Sequence, residues 1–223
     1  SMRSRILSLS FIFSFVLGQN YSLSFDGVDD YVELDTTNLN TSADFTVQFD
    51  VIDYGPNSNP NHAWRVYFSN LGNGNPYAGI AVYSQYSQIG FFYNVPPNQI
   101  SVVELPSDNS FNLAVSYNQS TIKFYLNGSL VNEYVATINY SEVNKFIIGS
   151  RPQYQSCDNE CGLLSDCLNG NIDNFNFWNY ELNQESIQSN IDNPVSTDDA
   201  GLVGSWNFNE GEGTILYDQS GNE

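Results

Sequence analysis

Residues Tyr21–Leu34, YSLSFDGVDDYVEL, read as strand, tight acidic turn, strand. Leu23 and Phe25 alternate with Ser22 and Ser24, the two-residue period of a strand with one buried face. Asp26-Gly27 supplies the turn, because Gly27 tolerates a positive φ and a carboxylate can accept from the local backbone. Asp29 and Asp30 follow before Tyr31, Val32 and Leu34 resume an extended pattern. Three carboxylates so close to one turn either bind a cation or stand solvated.

The same period recurs outward from this stretch. In Asp44–Asp53, Phe45, Val47, Phe49 and Val51 alternate with polar residues. Ala63–Asn70 sets Trp64, Val66 and Phe68 on one side, which predicts a core Trp64, and Arg65 and Tyr67 on the other. Tyr77–Gln85 and Gln88–Val95 flank a turn at Tyr86-Ser87. Phe111–Tyr117 follows, then TIKFYLNGSLV, whose Asn127-Gly128 is the preferred pair for a type I′ hairpin. Glu133–Ile138, Lys145–Ser150 and Leu168–Leu182 continue the pattern, and Asn183–Ile191 is the one helical stretch, with Asn183 as its cap. Short strands separated by turn signals, with no helix between them, predict an all-β sandwich of two antiparallel sheets.

Charge narrows the function. Six basic residues stand against 25 acidic ones, a formal charge of −19. Nucleic acid and anionic membranes are poor partners for such a surface, since phosphate contacts need Lys and Arg. Solubility and hard divalent cations suit it. Hydrophobic residues at 41% and aromatics at 15% are enough for a sizeable core.

Residues 1–18 have the form of a secretory signal peptide. Arg3 and Arg5 make a basic start, Ile6–Leu17 an apolar run too short to span a bilayer, and Val16-Leu17-Gly18 a small-residue cleavage pattern. The competing reading is a strand in which Leu7, Leu9, Phe11, Phe13 and Phe15 alternate with mostly Ser. Cys157, Cys161 and Cys167 lie in one loop, where a local disulfide with one thiol left over fits an exported protein. Zinc lacks a fourth ligand there, because the single histidine, His62, is far away in sequence.

Four passages in order, SLSFDGVDDYVEL, FNLAVSYNQSTIKFYLNGSLV, KFIIGSR and GNIDNFNFWNYELNQESI, resemble the laminin G-like, concanavalin A-like jelly-roll modules of bacterial secreted proteins. The resemblance covers residues 20–191. It implies two stacked sheets whose N- and C-terminal strands are neighbours, and a structural calcium at the rim beside them. Carried onto this sequence, the metal positions are Asp26 of the FDG turn and Asp173 of GNID. Beyond a polar linker at 192–200, residues 201–223 resemble the start of a further laminin G-like module, the other reading being a C-terminal extension folded back on the first.

The expectation is therefore a secreted, non-catalytic binding module for glycan or an extracellular protein. Its candidate ligand residues are Tyr67, Tyr83 and Tyr86 as an exposed platform, and Arg65 toward an acidic group. A structural or adhesive repeat unit of a cell-surface protein is the alternative. A polysaccharide-degrading enzyme on this fold comes third, for no strand shows the closely spaced carboxylates a retaining glycosidase needs.

Overall fold

The computed structural model describes residues 20–34, 39–55, 64–72, 75–93, 98–139, 146–152, 164–211 and 213–221. In chain order the described strands are β1 (Leu23–Asp26), β2 (Val32–Leu34), β3 (Phe45–Asp53), β4 (Arg65–Gly72) and β5 (Asn75–Gln85). Next come β6 (Gln88–Tyr93), β7 (Asn98–Glu104), β8 (Ser110–Tyr117), β9 (Thr121–Leu126) and β10 (Ser129–Val135). The last are β11 (Phe146–Ile148), β12 (Arg151–Pro152), β13 (Leu164–Ser165), β14 (Asn169–Trp178), the helix α1 (Gln184–Asp192) and β15 (Leu202–Trp206). The signal-peptide reading falls on residues outside those described.

Two antiparallel sheets make the sandwich the sequence predicts. The first runs β1-β14-β3-β8-β9-β10, with β15 also on β14; the second runs β2-β11-β4-β5-β6-β7. A small ribbon joins β12 to β13. Alternation decides which side chains meet between the sheets. Phe45, Val47, Phe49 and Val51 of β3 point inward with Leu113, Val115 and Tyr117 of β8, against Phe68, Val82, Phe91 and Phe146 from the second sheet. Rings close the gap: Phe68 and Phe175 lie 5.4 Å apart, and Phe91 and Phe124 5.2 Å in an edge-on contact. Burying each such side chain contributes about 1.5–3 kcal/mol.

A second apolar cluster lies on the outside of the first sheet. Ala114, Tyr125, Trp178 and Leu202 pack there with Leu182 and with Ile187, the buried residue of α1. Asn183 caps the helix as expected, its side-chain oxygen accepting from Ser186 N at 2.8 Å.

The two ends of the described chain meet on β14. β1 pairs antiparallel with its first half, Leu23 opposite Ile172 and Asp26 opposite Asn169. β15 pairs antiparallel with its second half, Trp206 opposite Phe175 and Leu202 opposite Trp178. Residues 202–206 are thus a strand of this sandwich, with Trp206 and Phe208 buried in its core.

Phe25 of β1 lies against the backbone of Gly149, just past β11. Gly149 has φ +83°, and a Cβ there would sit 2.2 Å from the Phe25 ring. Gly55 has nearly the same angle, φ +86°, with nothing within 4 Å of an added Cβ. Gly55→Ala is therefore expected to show the backbone cost alone, of order 1 kcal/mol. Gly149→Ala adds about 1–3 kcal/mol of overpacking to it. Urea midpoints of the two variants measure the difference; equal losses would mean that Phe25 does not hold β1 to the second sheet.

Candidate functional site

One rim of the sandwich brings together charged and aromatic groups from several strand ends. β1 and β3 end there, at Asp26 and Asp53, and β4 and β14 begin there, at Arg65 and Asn169. The backbone ties the pieces together: Tyr54 N donates to Asn169 O at 3.0 Å, Val66 N to Asp166 O at 3.0 Å, and Leu168 N to Gly149 O at 2.8 Å.

The acidic turn after β1 is built by its own carboxylates. Asp26 Oδ1 accepts from Val28 N at 2.8 Å, and Asp30 Oδ2 accepts from Asp26 N at 3.0 Å. Gly27 takes φ 79°. A carboxylate oxygen from each of Asp26, Asp29 and Asp30 lies within 4.8 Å of the other two, and all three residues are exposed. An all-oxygen set completed by carbonyls and water fits calcium rather than zinc.

Beside it sits a buried ionic node. Asp53 keeps the inward parity of Phe45, Val47, Phe49 and Val51, which places a carboxylate at the end of the core, 0% exposed. Arg65 Nε donates to Asp53 Oδ1 at 2.8 Å, as does Gly55 N at 2.8 Å. Tyr67 OH and Ser84 Oγ donate to Oδ2 at 2.7 and 2.5 Å. Burial first, and the Asp53 charge second, push the Tyr67 hydroxyl well above the ordinary tyrosine pKa, so it remains a neutral donor. Such a carboxylate is fully engaged, and its role is to fix the rim.

Two of the expected ligand residues are thereby corrected. Tyr67 is wholly buried and Arg65 is 5% exposed, both committed to Asp53. The cause is a register shift between Val66 and Phe68 of β4, where Tyr67 is the extra residue. Phe68 faces the main core, while Trp64 and Val66 join Ala81, Tyr83 and Phe92 in a separate cluster. Tyr83 is also buried, at 5% exposure; it lies over Gly90 of the neighbouring strand, where a Cβ would come within 2.5 Å of its ring. Tyr86 is exposed, at the tip of the β5–β6 hairpin, with φ 48°.

With Tyr54 and Tyr31, Trp64 is one of the solvent-reaching aromatics of the rim. Its ring stacks on Tyr83 at 4.2 Å and 5°, and the Arg151 guanidinium carbon lies over it at 4.8 Å. Arg151 Nε is 2.5 Å from Asp166 Oδ2. Burial raises the Tyr83 pKa, and the nearby Arg151 charge offsets part of the rise.

Cys167 links the two halves of the rim. Its Sγ is 3.5 Å from Ser150 Oγ, and burial raises its pKa, with the charges of Asp166, Asp29 and Asp26 adding to the rise. It is a buried free thiol. Cys157, Cys161 and His62 lie outside the described residues.

Asp173 does not join Asp26. Asp26 pairs with Asn169, four ladder positions from Asp173, roughly 13 Å at 3.3 Å per residue. Asp173 instead stands opposite Asp50 on β3. A chain of amides converges there: Asn190 donates to Gln48 (3.2 Å), Gln48 to Asn112 (2.9 Å), and Asn112 and Asn174 to the two oxygens of Asp50 (2.8 and 2.9 Å). Burial first, and Asp50 as well, lift the Asp173 carboxyl to about 6, although Asn174 N and the Asn20 side chain partly stabilise its charge. An unfolded Asp titrates near ~3.9, so the folded state holds its proton more tightly. The charged form costs stability, and that cost sets in as pH rises from about 4 through 6. Asp173→Asn is expected to raise the melting temperature at about pH 7.5 and to leave it nearly unchanged at about pH 4. A gain equal at both pH values would contradict the raised pKa of Asp173.

With two antiparallel sheets, paired end strands and this rim in view, the comparison with known families becomes decisive. The Laminin_G_3 model, described as the concanavalin A-like lectin/glucanases superfamily, matches residues 26–188. The chain belongs to this laminin G-like family. No curated protein matches the laminin G-like chain by sequence. Among solved structures, it resembles a putative carbohydrate binding protein from Bacteroides ovatus, with TM-score 0.67 and 13% identity over 90% of this chain. It spans 56% of that protein's length. The CBM40 of a Ruminococcus gnavus IT-sialidase gives TM-score 0.57 and 12% identity, covering 77% of this chain and 98% of that one. A SAP-like pentraxin of Limulus polyphemus gives 0.55 and 13%, covering 78% and 81%. At these identities the likeness is one of fold.

Of the rim residues, the sequence alone pointed to the acidic turn but not to Asp53, Arg151 or Asp166, and it placed Trp64 in the core. Asp53 did leave a signal, as a charged residue in step with four apolar ones.

Proposed function

We propose that this laminin G-like module is an exported, non-catalytic carbohydrate-binding module whose ligand meets the rim at Trp64 and Arg151. The observation that carries the reading is the meeting of an aromatic–guanidinium stack and a three-carboxylate turn around Cys167 on one rim. Tyr83 stacks on the indole and the Arg151 guanidinium lies over the same ring, so a sugar meets the indole edge and the N–H donors of the guanidinium, which is ion-paired with Asp166. The same fold in the R. gnavus CBM40 has been solved bound to α2,3-sialyllactose, which supports a sugar ligand here.

In this reading Asp26, Asp29 and Asp30 hold a calcium ion that stiffens the β1–β2 turn and takes no part in chemistry. Glycan-array binding of the chain, with calcium and with chelator, tests both parts. Trp64→Ala is expected to abolish binding, and about 10 mM calcium to raise the melting temperature of the parent but not of an Asp29→Asn, Asp30→Asn double variant. Silence across a broad array would leave the module a structural or adhesive unit. An unchanged melting temperature in calcium would remove the ion from the account.

A further inference from the structure

Tyr54 and Tyr86 are 57% and 79% exposed, and both are mounted on the buried Asp53 node. Tyr54 is bracketed by it, since Asp53 Oδ1 accepts from Gly55 N at 2.8 Å. Tyr86 stands just past Ser84, which pairs with Arg65 at the start of β4 and whose Oγ donates to Asp53 Oδ2. At the hairpin tip Tyr86 and Ser87 take φ 48° and 65°, the left-handed backbone that the β9–β10 hairpin fills with Asn127 and Gly128. A Tyr-Ser pair is a poor occupant of such a turn, and an exposed ring gains little packing within the module to offset the cost.

Each tyrosine has an exposed carboxylate on the adjoining strand end. Leu105 N donates to Ser87 O at 2.8 Å, which brings Glu104 beside the Tyr86 turn. Asp53 N donates to Asn109 O at 2.8 Å, which brings Asp108 beside Tyr54. Asn109 N donates to Pro106 O at 3.0 Å, so one turn between β7 and β8 carries both acids, and both are exposed. The basic side chains among the described residues are engaged by other acids: Arg65 by Asp53, Lys123 by Glu181 and Arg151 by Asp166.

The geometry points to a docking surface here for an arginine-rich segment of a partner protein. A guanidinium lies on a tyrosine ring through its face and donates to a carboxylate through its edge, so a tyrosine with an acid beside it meets both. Two such pairs on one turn suit two arginines of one segment. The formal charge of −19 steers a basic partner in and an acidic one away. Mounting both tyrosines on Asp53 fixes their backbone beforehand, which lowers the ordering cost of binding. This face shares no residue with the Trp64–Arg151 stack and does not depend on whether that stack takes a sugar.

Fluorescence anisotropy with labelled octa-arginine and octa-lysine at low salt tests it. Octa-arginine is expected to bind with a Kd of about 10 µM or tighter, and octa-lysine about fivefold or more weakly, because an ammonium stacks poorly on a ring. Tyr54→Ala with Tyr86→Ala, and separately Glu104→Gln with Asp108→Asn, should each weaken octa-arginine by about tenfold or more. Glu185→Gln with Asp192→Asn removes the same charge from α1 and should leave binding within about twofold. All six side chains are exposed, and melting temperatures check that each variant is folded. No binding of octa-arginine, equal affinity for the two peptides, or retention of binding in both rim variants overturns the proposal. A loss in the α1 variant as large as in the rim variants would reduce the attraction to diffuse charge and overturn it too.

Discussion

Asp53→Ala is expected to cost about 3–5 kcal/mol, a large share of the roughly 5–15 kcal/mol that holds a domain of this size together. The substitution removes the carboxylate that accepts from Arg65 Nε, Tyr67 OH and Ser84 Oγ. It leaves a guanidinium at 5% exposure without its counter-charge. The asymmetry between breaking and replacing such a pair gives a sharper test. A double variant, Asp53→Leu with Arg65→Met, removes both charges and should recover much of the loss. Denaturant midpoints for the single and double variants measure this. A single variant within about 1 kcal/mol of the parent would mean that the node is not what fixes the rim.

The second large effect concerns the end of the chain. Trp206 is 8% exposed, its ring 6.1 Å from Phe175, and Phe208 is 3% exposed in the same core. Trp206→Ala is expected to cost about 3–5 kcal/mol, the range for deleting a large buried aromatic. Ending the chain at Ala200 should cost more, because it also bares half of the β14 edge, and unpaired edges template aggregation. A shortened chain with unchanged melting temperature and solubility would show that β15 is dispensable, contrary to its place in the sheet.

Local chemistry made much of the fold legible. The Asn127-Gly128 hairpin forms as read, with φ 48° and 76° at its two corners. The alternation of β3 gave its inner face directly. What escaped were the consequences of register. One extra residue in β4 moved Trp64 and Val66 off the face of Phe68, since a one-residue shift reverses every side chain beyond it. Likewise Asp26 and Asp173 belong to neighbouring strands, but antiparallel pairing sets them four positions apart. The rim's working groups come from strand ends far apart in sequence, which no local pattern brings together. The second acidic site, Asp50 with Asp173, depends on pairing between β3 and β14 and was equally hidden.

β15 and β1 run in the same direction along β14, one finishing at Trp206 beside the place where the other starts, and Tyr21 N donates to the Asn209 side chain at 2.8 Å across the join. They are two halves of one interrupted strand. The sheet does not distinguish which half is synthesised first. Circular permutation that moves residues 201–221 ahead of Tyr21 and opens the chain after Ala200 would therefore rebuild the same ladder, and the gene order of this module is one of two that its hydrogen bonds permit.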